Sequence, residues 1–174
     1  SRNDIYLLID KKSINKFYNI FKPMYSSLYM IDPIDIYWGN YSLISAELKL
    51  FTSSKDGNYD YYHLLSGLDL PLVNQDVIHN FFDAHLNKEF ITYSSALSTK
   101  QLAMRLHKYH FASSFITTSK MMHYYHRLDM KLYSKLPQRI ISFSKIAFSS
   151  NWVSLDQDLI NSLVEHQTMI HDIF

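Results

Sequence analysis

Short apolar runs alternate with amphipathic segments along this chain, and the alternation predicts a sheet with helices packed against it. Residues 5–9 form the continuous apolar run IYLLI, which is typical of a strand buried on both faces. Similar runs predict further strands at residues 28–31, 34–38, 61–65, 90–93, 140–148 and 151–155. Because strands and helices alternate, we expect an α/β fold with a mostly parallel central sheet flanked by helices.

Apolar residues recur at helical spacing between these runs, and polar residues that can cap a helix stand in front of several of them. The predicted helices cover or begin at the following positions: residues 42–51, 99–109 and 121–132, Ser13, Asn74 or Asp76, and Asp156. No internal repeat, low-complexity segment or linker divides the chain. We therefore expect one domain over residues 1–174.

The overall composition excludes several classes of protein. Hydrophobic residues make up 47% of the chain and charged residues 19%, as in globular proteins. The net charge is only +1 and no long charge run occurs, so a nucleic-acid partner is not expected. There is no cysteine, which excludes disulfides and thiolate chemistry and fits a reducing compartment. No apolar run reaches the ~18 residues of a membrane span, so we expect a cytoplasmic protein.

Histidines are frequent, and two pairs of them have a spacing that could place both rings on one helix face. His107 and His110, and likewise His123 and His126, are three residues apart, so each pair could share a helix face. A zinc site needs at least a third protein ligand and an ordered outer shell, and no carboxylate or cysteine spacing supplies one. We predict solvated or partly buried histidines and no metal site.

Polar residues follow two of the predicted strands, where open α/β sheets bind their ligands. Residues 10–12, DKK, follow IYLLI, and residues 66–69, SGLD, follow YYHLL. Gly67 would let the backbone come close to a ligand, and Asp69 could orient a sugar hydroxyl or a ribose. Alternatively, Asp69 only shapes a turn before the next helix. The pattern alone does not choose between these two interpretations.

Four segments, in this order along the chain, resemble motifs of the core-2/I-branching glycosyltransferases, glycosyltransferase family 14. The strongest is DYYHLLSGLDLPL at residues 60–72, which is similar to the family's LLSGxDxPL. The others are NDIYLLIDKKS at 3–13, YWGNYSLISAELKL at 37–50 and FSSNWVSLDQDLINSLVEH at 148–166. The chain looks like a bacterial member of this family, since animal members are usually Golgi-anchored and rich in cysteine. It also looks truncated at both ends.

The resemblance implies a GT-A-like fold and an enzyme that transfers a sugar with inversion of its anomeric configuration. The expected donor is a UDP-sugar carrying N-acetylglucosamine or xylose, and the expected acceptor is a carbohydrate hydroxyl in polysaccharide or glycoconjugate synthesis. The family lacks the usual metal-binding Asp-x-Asp, so neither a metal ion nor another cofactor is expected. Cationic side chains would then neutralise the phosphates.

The resemblance also implies positions for the substrate walls. Seven residues match donor-side positions: Asp10, Lys12, Trp38, Gly39, Ser66, Gly67 and Asp69. Three residues match acceptor-side positions: Arg105, Asn151 and Trp152. Trp38 could equally be a core ring packed on the helix that follows, and Arg105 could belong to a solvated helix face. Ser149-Ser150 stands where the family has Gly-Ser, which puts a glycine-dependent approach of the backbone in doubt.

An inverting transferase needs one general base to remove the proton of the acceptor hydroxyl. In the family this base is a glutamate shortly after the last helix described above, so we expect it beyond Phe174, together with the phosphate-binding cations. Glu165 does not match the motif and is not assigned. Two alternatives remain: a non-catalytic nucleotide- or sugar-binding remnant, and a generic nucleotide-binding α/β domain. The absence of a glycine-rich phosphate loop counts against the second alternative.

Overall fold

The computed structural model describes residues 2–16, 23–37, 39–94 and 147–173. The strands of this part are β1 Asp4–Leu8, β2 Ser27–Ile31, β3 Tyr62–His63, β4 Phe90–Ser94 and β5 Phe148–Leu155. Its α-helices are α1 Tyr41–Ser54, α2 Gln75–Asp83, α3 Gln157–Glu165 and α4 Gln167–Ile173. Two short 3₁₀ helices, Lys11–Lys16 and Lys55–Gly57, complete the described elements.

The described strands form two sheets. β1 and β2 pair in parallel, while β5 lies between β3 and β4 and runs antiparallel to both. The predicted α/β class is therefore confirmed, but its mostly parallel sheet is not, because only one of these three pairings is parallel. The physical reason is visible in β5: apolar Val153 and Leu155 alternate with Trp152 and Ser154, and alternation is typical of antiparallel strands with two different faces.

The core lies between the three-stranded sheet and two helices. Its buried residues come from α1, β3, β5 and α3, and they are Phe51, Tyr62, Leu155, Ile160 and Val164. On the opposite face, α2 covers the sheet with aromatic side chains: the ring of Phe82 lies 4.5 to 5.1 Å from the rings of Tyr61, His63 and Phe90. The sheet is thus enclosed on both faces, which leaves ligands its ends and loops.

Two expectations about individual elements were wrong. Residues 34–38 were predicted as a strand, but 32–37 form a loop that returns to the end of β1, where Lys11 N–H donates to Ile34 O at 3.0 Å. Pro33 in this loop has no backbone N–H, so it cannot donate the hydrogen bond that a strand residue makes to a neighbouring strand. The last predicted helix is interrupted at His166, whose ring nitrogen Nδ1 lies 2.8 Å from Ser162 O.

One capping expectation was confirmed, and three predicted elements lie wholly or largely outside the described residues. Asn74 caps α2 as predicted, because its Oδ1 accepts from Val77 N–H at 3.0 Å. The helices predicted at 99–109 and 121–132, and the strand at 140–148 except its last two residues, lie outside the described residues. Within residues 2–16, 23–37, 39–94 and 147–173, no helix combines the length and the apolar character needed to cross a membrane.

Tyr59 joins the two sheets through its hydroxyl group. The hydroxyl donates to Asp4 Oδ2 at 2.6 Å and lies 3.2 Å from the hydroxyl of Tyr6 in β1. Burial and the hydrogen bond to Asp4 raise the pKa of Tyr59, so the phenol stays neutral. A Cβ atom on Gly57 would lie 2.1 Å from the Tyr59 ring, which is why this turn requires glycine. Tyr59 therefore connects the segment before β3 to the first half of β1.

Candidate functional site

The strand β5 contains an irregularity that involves both described acceptor-side candidates. Its pairing with β4 shifts in register, so that residues 150–152 of β5 face the single residue Thr92 of β4. Such a bulge bends a strand and redirects its side chains, and bulges are frequent beside active sites. Asn151 and Trp152 lie in this bulge and both are exposed. The bulge thus turns two neighbouring polar and aromatic groups towards solvent.

Trp152 is anchored to the loop that follows β3. Its indole Nε1–H donates to Asp69 Oδ2 at 2.6 Å, and Ser66 N–H donates to the same oxygen at 2.5 Å. The loop itself is a turn, because Asp69 N–H donates to Ser66 O at 3.1 Å. The structure thus brings together three of the predicted residues from segments more than 80 positions apart. The indole remains 54% exposed, so its ring is available to a ligand.

Hydrogen bonds stabilise the charged form of the Asp69 carboxylate. The hydrogen bond from the Ser66 backbone, followed by that from the Trp152 indole, holds the pKa of Asp69 below its usual range, because both donors stabilise the carboxylate. Gly67 forms the tip of the turn, and an added Cβ atom would meet no other atom within 4 Å. Asp69 therefore shapes the turn, as one of the two sequence interpretations predicted, and it also orients the indole.

An open groove of about 420 Å³ lies beside Trp152, between β4, β5 and the segment that follows β3. Its lining consists of Leu64, Leu65, Glu89, Phe90, Ile91, Thr92, Trp152, Val153 and Ser154. The groove has one ionisable lining residue, Glu89, and partial burial together with neighbouring Asp156 raises the pKa of Glu89 to about 7. Its aromatic wall and scattered polar groups suit a flat, hydroxyl-bearing ligand.

The end of β1 forms a second polar corner. Asp10 Oδ1 accepts from Lys12 N–H at 3.0 Å, and its Oδ2 lies 3.1 Å from the Lys12 ammonium. Partial burial tends to raise the pKa of Asp10, but these bonds from Lys12 outweigh it and the pKa is lowered. Lys12 Nζ also donates to Ile36 O at 2.5 Å. Both charges are therefore partnered within the corner, which limits what Lys12 alone can offer a phosphate.

The same corner includes the turn before α1. Lys12 Nζ lies 4.1 Å from the ring centre of Tyr37, and Asn40 N–H donates to Tyr37 O at 3.1 Å. Gly39 in this turn has a φ of +73°, a conformation that favours glycine. Tyr37 was not among the predicted site residues, although it stands directly before Trp38. Trp38 and Arg105, both predicted site residues, lie outside the described residues.

The two polar regions are separate groups of contacts. In the described ranges, no hydrogen bond or ring contact joins Asp10 or Lys12 to Asp69 or Trp152. The sequence placed Asp69 on the donor side and Trp152 on the acceptor side, but the structure joins these two side chains directly. Ser66, Asp69 and Trp152 therefore form one connected wall. The predicted donor-side and acceptor-side residues of this wall do not lie in two separate places.

A third contact involves a residue that the sequence analysis did not select. Asn151 Nδ2 donates to Glu47 Oε1 in α1 at 2.9 Å. Glu47 stands three residues after Ile44 and four before Phe51, so it occupies a position within the apolar stripe of the helix. A carboxylate in such a stripe is the signal that could have identified it. Burial raises the pKa of Glu47, although the hydrogen bond from Asn151 opposes this effect.

One Asp-x-Asp sequence does follow a strand, at Asp156 and Asp158 directly after β5. The structure uses Asp156 as a helix cap, because its Oδ1 accepts from Leu159 N–H at 2.9 Å. Among the described ranges there is no cluster of three or more histidine, aspartate or glutamate side chains that could hold a metal ion. The role of this Asp-x-Asp that the structure supports is to begin α3.

An exposed indole fixed by a carboxylate, beside an open groove at the end of an α/β sheet, defines a protein with a surface suited to sugars. The family model described as Core-2/I-Branching enzyme matches residues 1–174, so the chain belongs to this family of glycosyltransferases. Neither the curated proteins nor the solved structures contain a significant match. The family membership confirms the resemblance carried by the four ordered motifs.

Proposed function

We propose that this glycosyltransferase moves a sugar from a UDP-sugar to a carbohydrate hydroxyl, with inversion and without a metal ion. Family membership supports the transferase activity, and the resemblance of the SGLD and DKKS motifs supports the UDP-sugar donor. The observation that carries the proposal is the hydrogen bond from Trp152 Nε1 to Asp69 Oδ2, at 2.6 Å. It gives the SGLD turn a function beyond chain reversal, since the turn fixes an exposed aromatic ring.

Sugars present one face of C–H groups and an edge of hydroxyl groups, and an aromatic ring binds the C–H face well. A fixed indole binds more tightly than a mobile one, because less side-chain entropy is lost when the sugar arrives. Trp152 is half exposed and anchored, so it is suited to hold a sugar ring over the groove. We assign Trp152 to the acceptor wall, and Asp69 to orienting its ring.

The corner at Asp10 is assigned to the nucleotide side of the donor. The Lys12 ammonium is balanced by the Asp10 carboxylate, so this corner has little net positive charge to offer a diphosphate. Neutralising the UDP leaving group without a metal requires further arginine or lysine side chains. Inversion also requires a general base, and we assign this role to none of the described carboxylates.

The donor class and metal independence can be tested together. The protein, expressed from its complete gene, is incubated with UDP-N-acetylglucosamine, UDP-xylose, UDP-glucose and UDP-galactose, and UDP release is measured with and without EDTA. We expect turnover of at least one UDP-sugar and a change of less than about twofold on adding EDTA, since no metal–phosphate contact would be lost. Loss of activity with EDTA would contradict metal independence, and failure with every UDP-sugar would contradict the donor class.

Inversion has its own readout. NMR of the product formed with a carbohydrate acceptor distinguishes the two anomeric configurations, and we expect a β-linked sugar from an α-linked donor. An α-linked product would contradict the single-displacement mechanism. The same reaction identifies which donor is used and therefore whether N-acetylglucosamine or xylose is transferred. A polysaccharide or glycoconjugate product would agree with the proposed biosynthetic role.

A further inference from the structure

Glu47 is a charged residue on the side of α1 that faces the sheet. The same helix buries Leu48 and Phe51, while the Glu47 side chain is only partly accessible and its pKa is raised by burial. Placing a carboxyl group there is unfavourable unless polar contacts compensate for the lost water. Within the described part of the chain, the single compensating hydrogen bond comes from Asn151 Nδ2.

This contact fixes the orientation of the Asn151 amide. A carboxylate only accepts hydrogen bonds, so the amide must turn its nitrogen towards Glu47 and its carbonyl oxygen away. No hydrogen bond from a described residue reaches Asn151 Oδ1 or Glu47 Oε2. Asn151 is also exposed at the bulge of β5. The pair therefore has two acceptor oxygens that no described residue uses, and the exposed Asn151 amide brings one of them to solvent.

We propose that Glu47 and Asn151 form a subsite that recognises hydroxyl groups of the acceptor sugar. Two adjacent acceptor oxygens match a ligand with adjacent donors, and neighbouring hydroxyls of a pyranose ring have this arrangement. A hydrogen bond from a hydroxyl to a carboxylate is charge-assisted and therefore stronger than a neutral one. The chemistry excludes an anionic ligand at this point, because its charge would be repelled by the Glu47 carboxylate.

The Glu47–Asn151 pair lies beside Trp152, the ring that we propose holds the sugar. Asn151 directly precedes Trp152 in the bulge, and the Cα atoms of consecutive residues are about 3.8 Å apart. Both side chains are exposed at the bulge, so we place the hydroxyl edge of a sugar stacked on the indole at Asn151. This assignment rests on the proposed acceptor wall and adds selectivity to it. The Trp152 indole can stack on many sugar faces, while the Glu47–Asn151 pair favours sugars with free hydroxyls at one edge. Glu47 is in this sense a positioning and specificity residue.

Binding of simple sugars tests the subsite independently of catalysis. Methyl glycosides of galactose, glucose, mannose and N-acetylgalactosamine are titrated into the protein expressed from its complete gene, using calorimetry or NMR. For the tightest binder, each monodeoxy analogue is then measured. We expect one or two deoxy analogues to bind about tenfold more weakly than the parent, the equivalent of ~1.4 kcal/mol.

Glu47→Gln is the decisive variant, because Gln keeps an oxygen for Asn151 but lacks the charge and the second acceptor oxygen. We expect parent binding to weaken about tenfold, and the difference between the parent and the critical deoxy analogue to shrink below about threefold. Glu165→Gln removes one exposed carboxylate from α3 and serves as the matched control, with binding unchanged. A merely structural role would lower the thermal stability of Glu47→Gln and leave the difference between parent and deoxy analogue intact.

The outcomes separate this subsite from the proposed reaction. If Glu47→Gln retains the full deoxy discrimination, or if no methyl glycoside binds the unmodified protein, the subsite is contradicted even when UDP-sugars are turned over. If deoxy discrimination depends on Glu47 while no UDP-sugar is used, the subsite stands and the proposed donor class fails. A transfer assay adds a further readout: the KM for the acceptor should rise in Glu47→Gln with little change in kcat, as expected for a binding contact.

Discussion

Two N–H groups converge on one carboxylate oxygen where the SGLD turn meets β5. Asp69 Oδ2 accepts from Ser66 N–H within the turn and from the indole of Trp152 outside it. The first bond forms locally in any chain with this turn, while the second requires the turn and the strand to meet. The orientation of the exposed indole therefore depends on correct folding of both segments, and the ring is fixed before a sugar binds.

Replacing Trp152 with Phe tests this arrangement of side chains. The phenyl ring keeps an aromatic face but cannot donate to Asp69, so we expect acceptor binding to weaken by about tenfold, roughly the value of one hydrogen bond to a charged group. The measurement is the acceptor KM together with glycoside binding by NMR. Tyr93→Phe, which alters an exposed ring in the neighbouring strand β4, is the control and should leave both values unchanged.

A double-mutant cycle with Asp69→Ala, which leaves no acceptor for the indole, identifies the cause. If the indole acts through Asp69, the double variant should lose little more than either single variant, because both remove the same contact. Fully additive losses would show that Asp69 and Trp152 act separately, and the role of the turn in orienting the ring would then be wrong.

At the scale of elements, Glu89 stands where β4 begins beside α3, and its carboxyl group has a raised pKa. Asp156 N–H lies 3.3 Å from Glu89 Oε2, just before the first turn of α3. Partial burial and the neighbouring Asp156 raise the pKa of Glu89 to about 7. Between pH ~4.3, the usual pKa of a free glutamate, and pH 7, the folded protein then binds a proton that the unfolded chain releases. Stability from this group is therefore present at low pH and declines as pH rises towards 7.

Glu89→Gln should remove this dependence on pH. The Gln side chain can still accept from Asp156 N–H, but it carries no charge to repel the Asp156 carboxylate. We expect the variant and the unmodified protein to melt at similar temperatures at pH 5, and the variant to melt higher at pH 8. Since Glu89 is exposed to screening by solvent, the difference should not exceed about 4 °C. Thermal melts at both pH values are the measurement, and a lower Tm for Glu89→Gln at pH 8 would contradict the raised pKa.

Local patterns predicted most of the described elements. The continuous run IYLLI indicated the parallel strand β1, and the polar residue Asn74 marked the beginning of α2. The failures lie where backbone partners override pattern: residues 32–37 form a loop that bonds to the end of β1, and His166 interrupts the last helix. Periodicity reports which face of an element is apolar, but it does not report which element covers that face.

At the scale of the molecule, the part of the chain that the structure describes is held by a small core. Ile160 is completely buried and joins the strands to α1 and α3. Ile160→Ala should lower the free energy of unfolding by about 2–5 kcal/mol, because it leaves a cavity as well as losing apolar contacts. Ile160→Val should cost only about 0.5–1.5 kcal/mol. Urea unfolding followed by circular dichroism measures both.

The control for this series is Met169→Ala, at an exposed position of α4. Its effect should stay within about 0.5 kcal/mol, as for most surface substitutions. Equal losses for Met169→Ala and Ile160→Ala would contradict the location of the core. Because Ile160 does not line the groove, Ile160→Val should also leave glycoside binding unchanged.

The sequence by itself determined the α/β class, the family through four ordered motifs, and the two strand ends at Asp10 and Asp69. These features are local, since each depends on the residue types within about a dozen positions. Only the tertiary structure decided that β5 lies between β3 and β4, that Trp152 reaches Asp69 across 83 positions, and that Asn151 reaches Glu47 across 104. Such contacts depend on how elements distant in sequence pack together, and no local pattern of apolar and polar residues specifies that.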